Sequence, residues 1–135
     1  MITVQTTVQA PLATVWDCWT LPEHITQWCQ ASDDWHAPHA ENDLRAGGRF
    51  VTTMAAKDGS FSFDFSGEYT RVVPHSLIEY SLDDERKVRI EFLVEGDSTH
   101  ITEHFDAEQE NPEEMQQAGW QAILESFKRY VEGLG

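Results

Sequence analysis

Residues 111–135 read NPEEMQQAGWQAILESFKRYVEGLG, and this stretch decides the fold. Asn111 stands where a helix cap is wanted and Pro112 at the first helical position. Glu113 and Glu114 follow, where acids meet the positive end of the helix dipole. Trp120, Ile123, Leu124, Phe127, Val131 and Leu134 then recur at helical spacing and form one apolar stripe. The pattern predicts a helix of about 22 residues, ~33 Å long at ~1.5 Å per residue. Gly133 and Gly135 are expected to end it. A stripe of this length calls for an equally long apolar surface to cover.

The preceding half of the chain supplies that surface. Phe61, Phe63, Phe65, Gly67 and Tyr69 alternate with Ser62, Asp64, Ser66, Glu68 and Thr70, which predicts a long strand with one apolar face. Ile78, Tyr80 and Leu82 repeat the alternation, as do Val88, Ile90, Phe92 and Val94, then Thr99, Ile101, Glu103 and Phe105. Short turns separate these strands: Pro74-His75-Ser76, Asp83-Asp84-Glu85 and Gly96-Asp97-Ser98. Upstream, Arg49 to Met54 makes another strand, joined to the Phe61 strand by the Asp58-Gly59 hairpin signal. With no helix between them the strands must pair antiparallel in a meander, apolar on one side only.

At the N-terminus Val4, Thr6 and Val8 mark a first strand, stopped by Ala10-Pro11. Leu12, Val15, Trp16 and Trp19 make one stripe of a short helix, with Pro11 in its first turn. Thr20 and Glu23 have capping-box spacing for a second short helix, with Ile25 and Trp28 facing inward. Residues 29–47 are polar and read as irregular, and Gly47-Gly48 allows a sharp turn or bulge.

Length and composition fit one domain over residues 1–135. Hydrophobic residues make up 40%, enough for a packed core. Nine Lys and Arg stand against 24 Asp and Glu, a formal net charge of -15. Such a surface repels nucleic acid and anionic membrane, and its ordinary reading is solubility; a basic partner is the functional one. The N-terminus carries no basic-then-apolar leader and no apolar run is long enough to span a bilayer, so a cytoplasmic location is expected. Cys18 and Cys29 fit that compartment as buried, reduced thiols. Nothing in the sequence specifies oligomeric state, and a homodimer stays open.

Several local motifs together resemble a known family. They are Ala10-Pro11 with Val15-Trp16; Trp19-Thr20, Pro22-Glu23, Ile25 and Trp28; and Asp43-Leu44-Arg45, Gly47-Gly48 and Phe50. Phe65, Gly67 and Tyr69 follow, then Val73-Pro74, Leu77 and Tyr80-Ser81, and finally Gly119-Trp120 with Leu124. In this order and spacing the chain resembles the family of the activator of heat-shock protein 90 ATPase homologue, within the START-like (SRPBCC, or Bet v 1-like) superfamily. The resemblance implies an α+β helix-grip fold: a curved antiparallel sheet of about six to seven strands wrapping the long C-terminal helix, with two short helices after the first strand. It also implies a cavity between sheet and helix. It implies no single reaction, since the superfamily spans lipid carriers, hormone receptors, polyketide cyclases and co-chaperone domains. The additional N-terminal domain of the eukaryotic co-chaperone has no counterpart here, which ranks chaperone interaction last. One departure stands out. The family pattern places apolar residues at both inward positions of the last strand, where this chain has Ile101 and then Glu103.

The chemistry-bearing residues are few. His36 and His39 beside Asp33 and Asp34 have metal-ligand character, but Pro38 and the loop setting argue for ordinary surface, and no metal or cofactor is assigned. Cys18 and His24 fall on different short helices with no oxyanion hole, so they make no nucleophile and base. Neither a phosphate loop nor a nucleophile elbow is present. Glu103 and His104 must point to opposite faces, and Glu103 is in phase with Ile101 and Phe105. Its ordinary reading is a pair with Arg or Lys near the rim; its functional one is a carboxyl that orients a ligand or moves a proton.

Trp16 belongs to an aromatic set that is mostly core. The cavity wall is expected to comprise Trp28, Phe50, Phe65, Tyr69, Tyr80, Phe92, Glu103, Trp120, Leu124 and Phe127. Ala118, Gly119, Ala122 and Ser126 are small enough to leave room under the helix. The expected function is therefore non-enzymatic binding of a small apolar or aromatic molecule, as carrier or sensor. The alternative is a cyclase or dehydratase using Glu103 as acid/base with Tyr80 or Tyr69 beside it.

Overall fold

A computed structural model describes residues 1–134; Gly135, one of the two expected helix-ending glycines, lies outside the described residues. The elements are β1 (Ile2–Val8), α1 (Leu12–Thr20), α2 (Pro22–Trp28), β2 (Trp35–Asn42), β3 (Arg49–Ala56), β4 (Ser62–Val73), β5 (Leu77–Leu82), β6 (Lys87–Glu95), β7 (Ser98–Phe105) and α3 (Glu113–Leu134). The strands form one seven-stranded sheet in the order β1-β7-β6-β5-β4-β3-β2. All neighbours are antiparallel. Thus β3 to β7 are the expected meander, β2 extends it at one edge, and β1 is added beside the last strand. Strands β1 and β2 are consecutive in sequence yet sit at opposite edges, so α1 and α2 carry the chain from one edge to the other. The α+β helix-grip architecture stands.

The region expected to be irregular contains β2. Its apolar alternation is hidden because it is an edge strand: only Ala37 is buried, and Pro38 falls at a register shift between His36 and His39. A proline without an N–H is tolerated there because one side of the strand has no partner. The capping-box expectation at Thr20 also fails. Helix α1 continues through Thr20, whose hydroxyl donates to the Trp16 carbonyl at 2.8 Å, and Leu21 precedes α2 without a side-chain cap. Pro11 sits one position earlier than expected, at the cap of α1.

At α3 the same one-residue shift occurs. The Pro112 carbonyl accepts from the Met115 and Gln116 amides, while the Asn111 side chain donates to Glu108 at 2.7 Å instead of capping. Gly47 has φ +86, and the backbone of Gly47 and Gly48 exchanges hydrogen bonds with Tyr69 of β4. A side chain at Gly67 would collide with the Ser81 carbonyl and the Phe50 ring.

Helix α3 is clamped at both ends of its buried face. Trp120 stacks on Phe105 of β7 with centroids 4.0 Å apart and an interplanar angle of 11°. Phe127 meets Trp19 and Trp28 edge-on, each at 4.8 Å. Leu124, Phe127 and Val131 are buried, whereas Leu134 is exposed and falls outside the stripe. Two of the small residues leave no room under the helix: Ala118 faces solvent, and the Ser126 hydroxyl donates to the Trp28 carbonyl at 2.8 Å.

The flank of α3 runs beside the edge strand. Gln117, Gln121 and Lys128 donate to the carbonyls of Thr3, Gln5 and Thr7, and Glu132 accepts from the Gln9 amide. Those carbonyls are the ones β1 cannot pair within the sheet.

Truncating Phe127 should therefore cost more than truncating any exposed helix residue. Phe127→Ala is expected to lower unfolding free energy by about 3–5 kcal/mol in urea titrations, whereas Met115→Ala, at an exposed position, should change it by less than about 0.5 kcal/mol.

Candidate functional site

Where the sheet curves away from α3, a cavity of about 370 Å³ remains. Its walls bring together seven of the ten expected residues: Trp28, Phe50, Phe65, Tyr69, Tyr80, Glu103 and Trp120. The other three belong elsewhere. Phe92 packs edge-on against Trp16 at 5.2 Å and Trp19 at 5.7 Å, so the indoles of α1 cover it. Leu124 and Phe127 are fully buried in the closed core at that same end. The N-terminal half of α3 thus walls the cavity through Gln116, Trp120 and Ile123, and its C-terminal half seals the core.

Several wall residues were not expected. Thr52 and Met54 share a face with Phe50, Ile78 with Tyr80, and Ile90 with Phe92, so strand alternation held the signal for them. Trp19, Ile25 and Cys29 come from the short helices, and Asn42 from β2. Their positions depend on how these elements cross the sheet, which no local pattern reports. Phe63 lies at the exposed mouth.

Glu103 sits between Val4 of β1 and Ile90 of β6 in the strand register, with Ile101 and Phe105 fully buried on the same face. It is 5% exposed. His104 points the other way, toward Thr3 at 3.0 Å and Glu91 at 3.4 Å. The expected rim partner does not materialise. Arg86 reaches the cavity wall, but its Nε donates to Asp84 at 2.7 Å. Among the described residues, no cation and no hydrogen bond stabilises the Glu103 carboxylate. Burial alone acts on it and raises its pKa from 4.5 to about 8. No sealed polar side-chain atom lacks a partner among those residues, so the carboxyl oxygens open onto the cavity.

The polar neighbours divide into committed and free groups. The Tyr69 hydroxyl donates to Asn42 Oδ1 at 2.5 Å, and Asn42 Nδ2 donates to the Thr20 carbonyl at 2.6 Å, tying β4, β2 and α1 together. The Tyr80 hydroxyl has no such partner among the described residues. Burial first, then the Glu103 charge, holds its phenol well above the ordinary range. The same two causes push the Cys29 thiol up to about 12, so it stays protonated and unreactive at neutral pH.

The remaining candidates do not converge. His24 bonds the Tyr130 hydroxyl at 2.6 Å, and Cys18 is buried with its carbonyl accepting from the Trp28 indole. His39 lies on the exposed β2 edge, 3.2 Å from Glu41. Among the described residues no cluster of three His, Cys, Asp or Glu side chains could hold a metal.

The raised Glu103 value carries a sign for stability. Between pH 4.5 and about 8 the unfolded chain releases this proton while the folded chain keeps it. Stability therefore falls as pH rises across that window, by on the order of 3 kcal/mol at pH 7. Glu103→Gln should flatten that slope and raise the melting temperature at pH 8 while changing it little at pH 4.5. Thermal melts across the pH series measure this.

The family model for Activator of Hsp90 ATPase homolog 1-like protein matches residues 9–132. An AHSA1-like protein from Aeromonas hydrophila is 43% identical with a TM-score of 0.91, the match covering 99% of this chain and 94% of that one. A protein of Cytophaga hutchinsonii is 59% identical with a TM-score of 0.84, covering 98% of this chain and 92% of that one. A Chromobacterium violaceum protein at 22% identity shares the fold, with a TM-score of 0.86 and 97% and 96% coverage. No curated protein matches. With the family model spanning nearly its whole length and the helix-grip fold in place, the chain belongs to the Activator of Hsp90 ATPase homolog 1-like family, within the START-like superfamily.

Proposed function

We propose that this protein binds a small apolar or aromatic molecule between the sheet and α3, as a carrier or sensor. The carrying observation is the cavity itself: about 370 Å³, walled by Trp, Phe and Tyr rings. That volume lies within the ~300–1,000 Å³ typical of ligand pockets. Tyr80 and Glu103 supply the few unsatisfied polar groups that fix a ligand's orientation. A cytoplasmic location fits this role; no described helix is long and apolar enough to cross a membrane.

A second reading, a cyclase or dehydratase reaction in the same cavity, draws support from Glu103. A carboxyl that stays protonated near neutral pH beside a free phenol has the makings of a general acid. Chaperone interaction, suggested by the family's description, has no particular surface in its favour and ranks third.

The test is a ligand screen by thermal shift with lipids, flavonoids, polyketides and neutral naphthalene probes. Binding at a 100-fold excess over Kd should add about 2.7 kcal/mol to stability. Ile123→Trp, which places an indole into the void, should weaken any hit at least tenfold. A panel that leaves the melting temperature unchanged, or a hit indifferent to Ile123→Trp, rules out cavity binding.

A further inference from the structure

Glu103 is an expensive residue for its position. Strand β7 alternates strictly, and its inward neighbours Ile101 and Phe105 are fully buried. A carboxylate between them gives up its hydration, and nothing among the described residues replaces it. Other polar side chains around the cavity are tied down within the chain: Tyr69 to Asn42, Gln116 to the Glu108 amide and the Asn111 carbonyl, Arg86 to Asp84. Glu103 differs from them in opening onto the void with no hydrogen bond made to it among the described residues.

We infer that the molecule bound here carries a protonated amine on an apolar or aromatic body, with Glu103 as its counter-ion. This rests on the cavity-binding reading above and names the ligand class within it.

Three observations favour a cation over a neutral or anionic occupant. First, the ionisable groups on the wall are unbalanced. Among the described residues Glu103 is the one wall carboxyl without a partner: Glu41 lies 3.2 Å from His39 on the exposed β2 edge, Glu108 accepts from Asn111, and the single guanidinium, Arg86, is committed to Asp84. Second, Trp28, Phe65, Tyr80 and Trp120 offer ring surfaces to the same space, and an ammonium is attracted to ring faces within ~6 Å. Third, the net charge of -15 raises the concentration of cations at the surface and lowers that of anions.

The groups that face Glu103 carry no competing positive charge. Tyr80 of β5, Tyr69 of β4 and Cys29 beyond α2 are neutral at physiological pH, with values raised by burial. The register neighbours Val4 and Ile90 are apolar, and α3 contributes uncharged Gln116, Trp120 and Ile123. Arg86 is the one cation on the wall among the described residues.

The chemistry balances simply. Below the Glu103 titration the free protein holds the carboxyl proton. An incoming R–NH3⁺ keeps all three of its N–H protons, Glu103 releases its own to solvent, and an ammonium–carboxylate pair forms. Affinity for the amine must then rise with pH, by up to about tenfold per unit between pH 6 and 8. A neutral acceptor that uses the protonated carboxyl as a donor shows the opposite trend, flat to pH 8 and falling above it.

A matched pair of probes tests this: 2-(1-naphthyl)ethylamine and 2-(1-naphthyl)ethanol. Each is titrated into the whole protein and into Glu103→Gln by calorimetry at pH 6, 7 and 8, in two buffers of different ionisation enthalpy. The expected result has four parts. The amine binds at least tenfold tighter than the alcohol at pH 8, and its affinity climbs from pH 6 to 8. Close to one proton is released per amine bound at pH 7, and Glu103→Gln loses the amine preference while retaining the alcohol. Equal affinity for the two probes, or amine affinity that is flat or falls from pH 6 to 8, overturns the inference and leaves cavity binding standing. Failure of both probes in both proteins overturns the two readings together. The pH series on the unaltered protein needs no variant, so the inference stays testable even if Glu103→Gln folds poorly.

Discussion

A straight helix and a curled sheet touch along only part of their lengths, and everything distinctive about this molecule follows from where they touch. Contact is made at the Trp120–Phe105 stack and again where Phe127 enters the cage of Trp19 and Trp28. Close packing is what a core otherwise enforces, because a void forfeits dispersion contacts on every wall. Here the two clamps hold α3 in place while β3, β4 and β5 bend away from it, and about 370 Å³ stays open. The cavity is thus the remainder left by two well-packed contacts, not a region of loose packing.

The clamps need a third element to bridge them. Strands β1 and β2 lie at opposite edges of the sheet, so α1 and α2 span its width and deliver Trp16, Trp19 and Trp28 to one end. Their indoles cover Phe92 and close that end. Hydrogen bonds fix the span: the Trp28 indole to the Cys18 carbonyl, Ser126 to the Trp28 carbonyl, and Tyr69 through Asn42 to Thr20. On the outer side α3 lends its Gln117, Gln121 and Lys128 to the free carbonyls of β1, which protects an edge that would otherwise pair with another strand.

Against this well-satisfied frame Glu103 is the exception. Its neighbours on β7 are apolar, its cross-strand partners are Val4 and Ile90, and no donor reaches it among the described residues. Natural sequences violate local consistency chiefly where function requires it, because an uncompensated buried carboxyl is a standing loss of stability. Above its own titration its charge also adds to burial in raising the Tyr80 phenol and the Cys29 thiol.

The sequence by itself determined the elements whose apolar period is unbroken. The 22-residue α3, the β3–β7 meander and the inward direction of Glu103 follow from spacing alone, since a strand sends alternate side chains to opposite faces. It left β2 hidden, because an edge strand buries little and shows no alternation. Only the tertiary structure decided which aromatics wall a void and which fill a core. Phe92 and Phe127 have the same pattern as Phe65, Tyr80 and Trp120, and they differ in that indoles from α1 and α2 pack edge-on against them. That depends on how the chain crosses from one sheet edge to the other. Likewise, periodicity pointed Glu103 inward, but whether a cation would meet it there was decided by tertiary contacts: the one guanidinium on the wall, Arg86, pairs with Asp84 in a turn that no period describes.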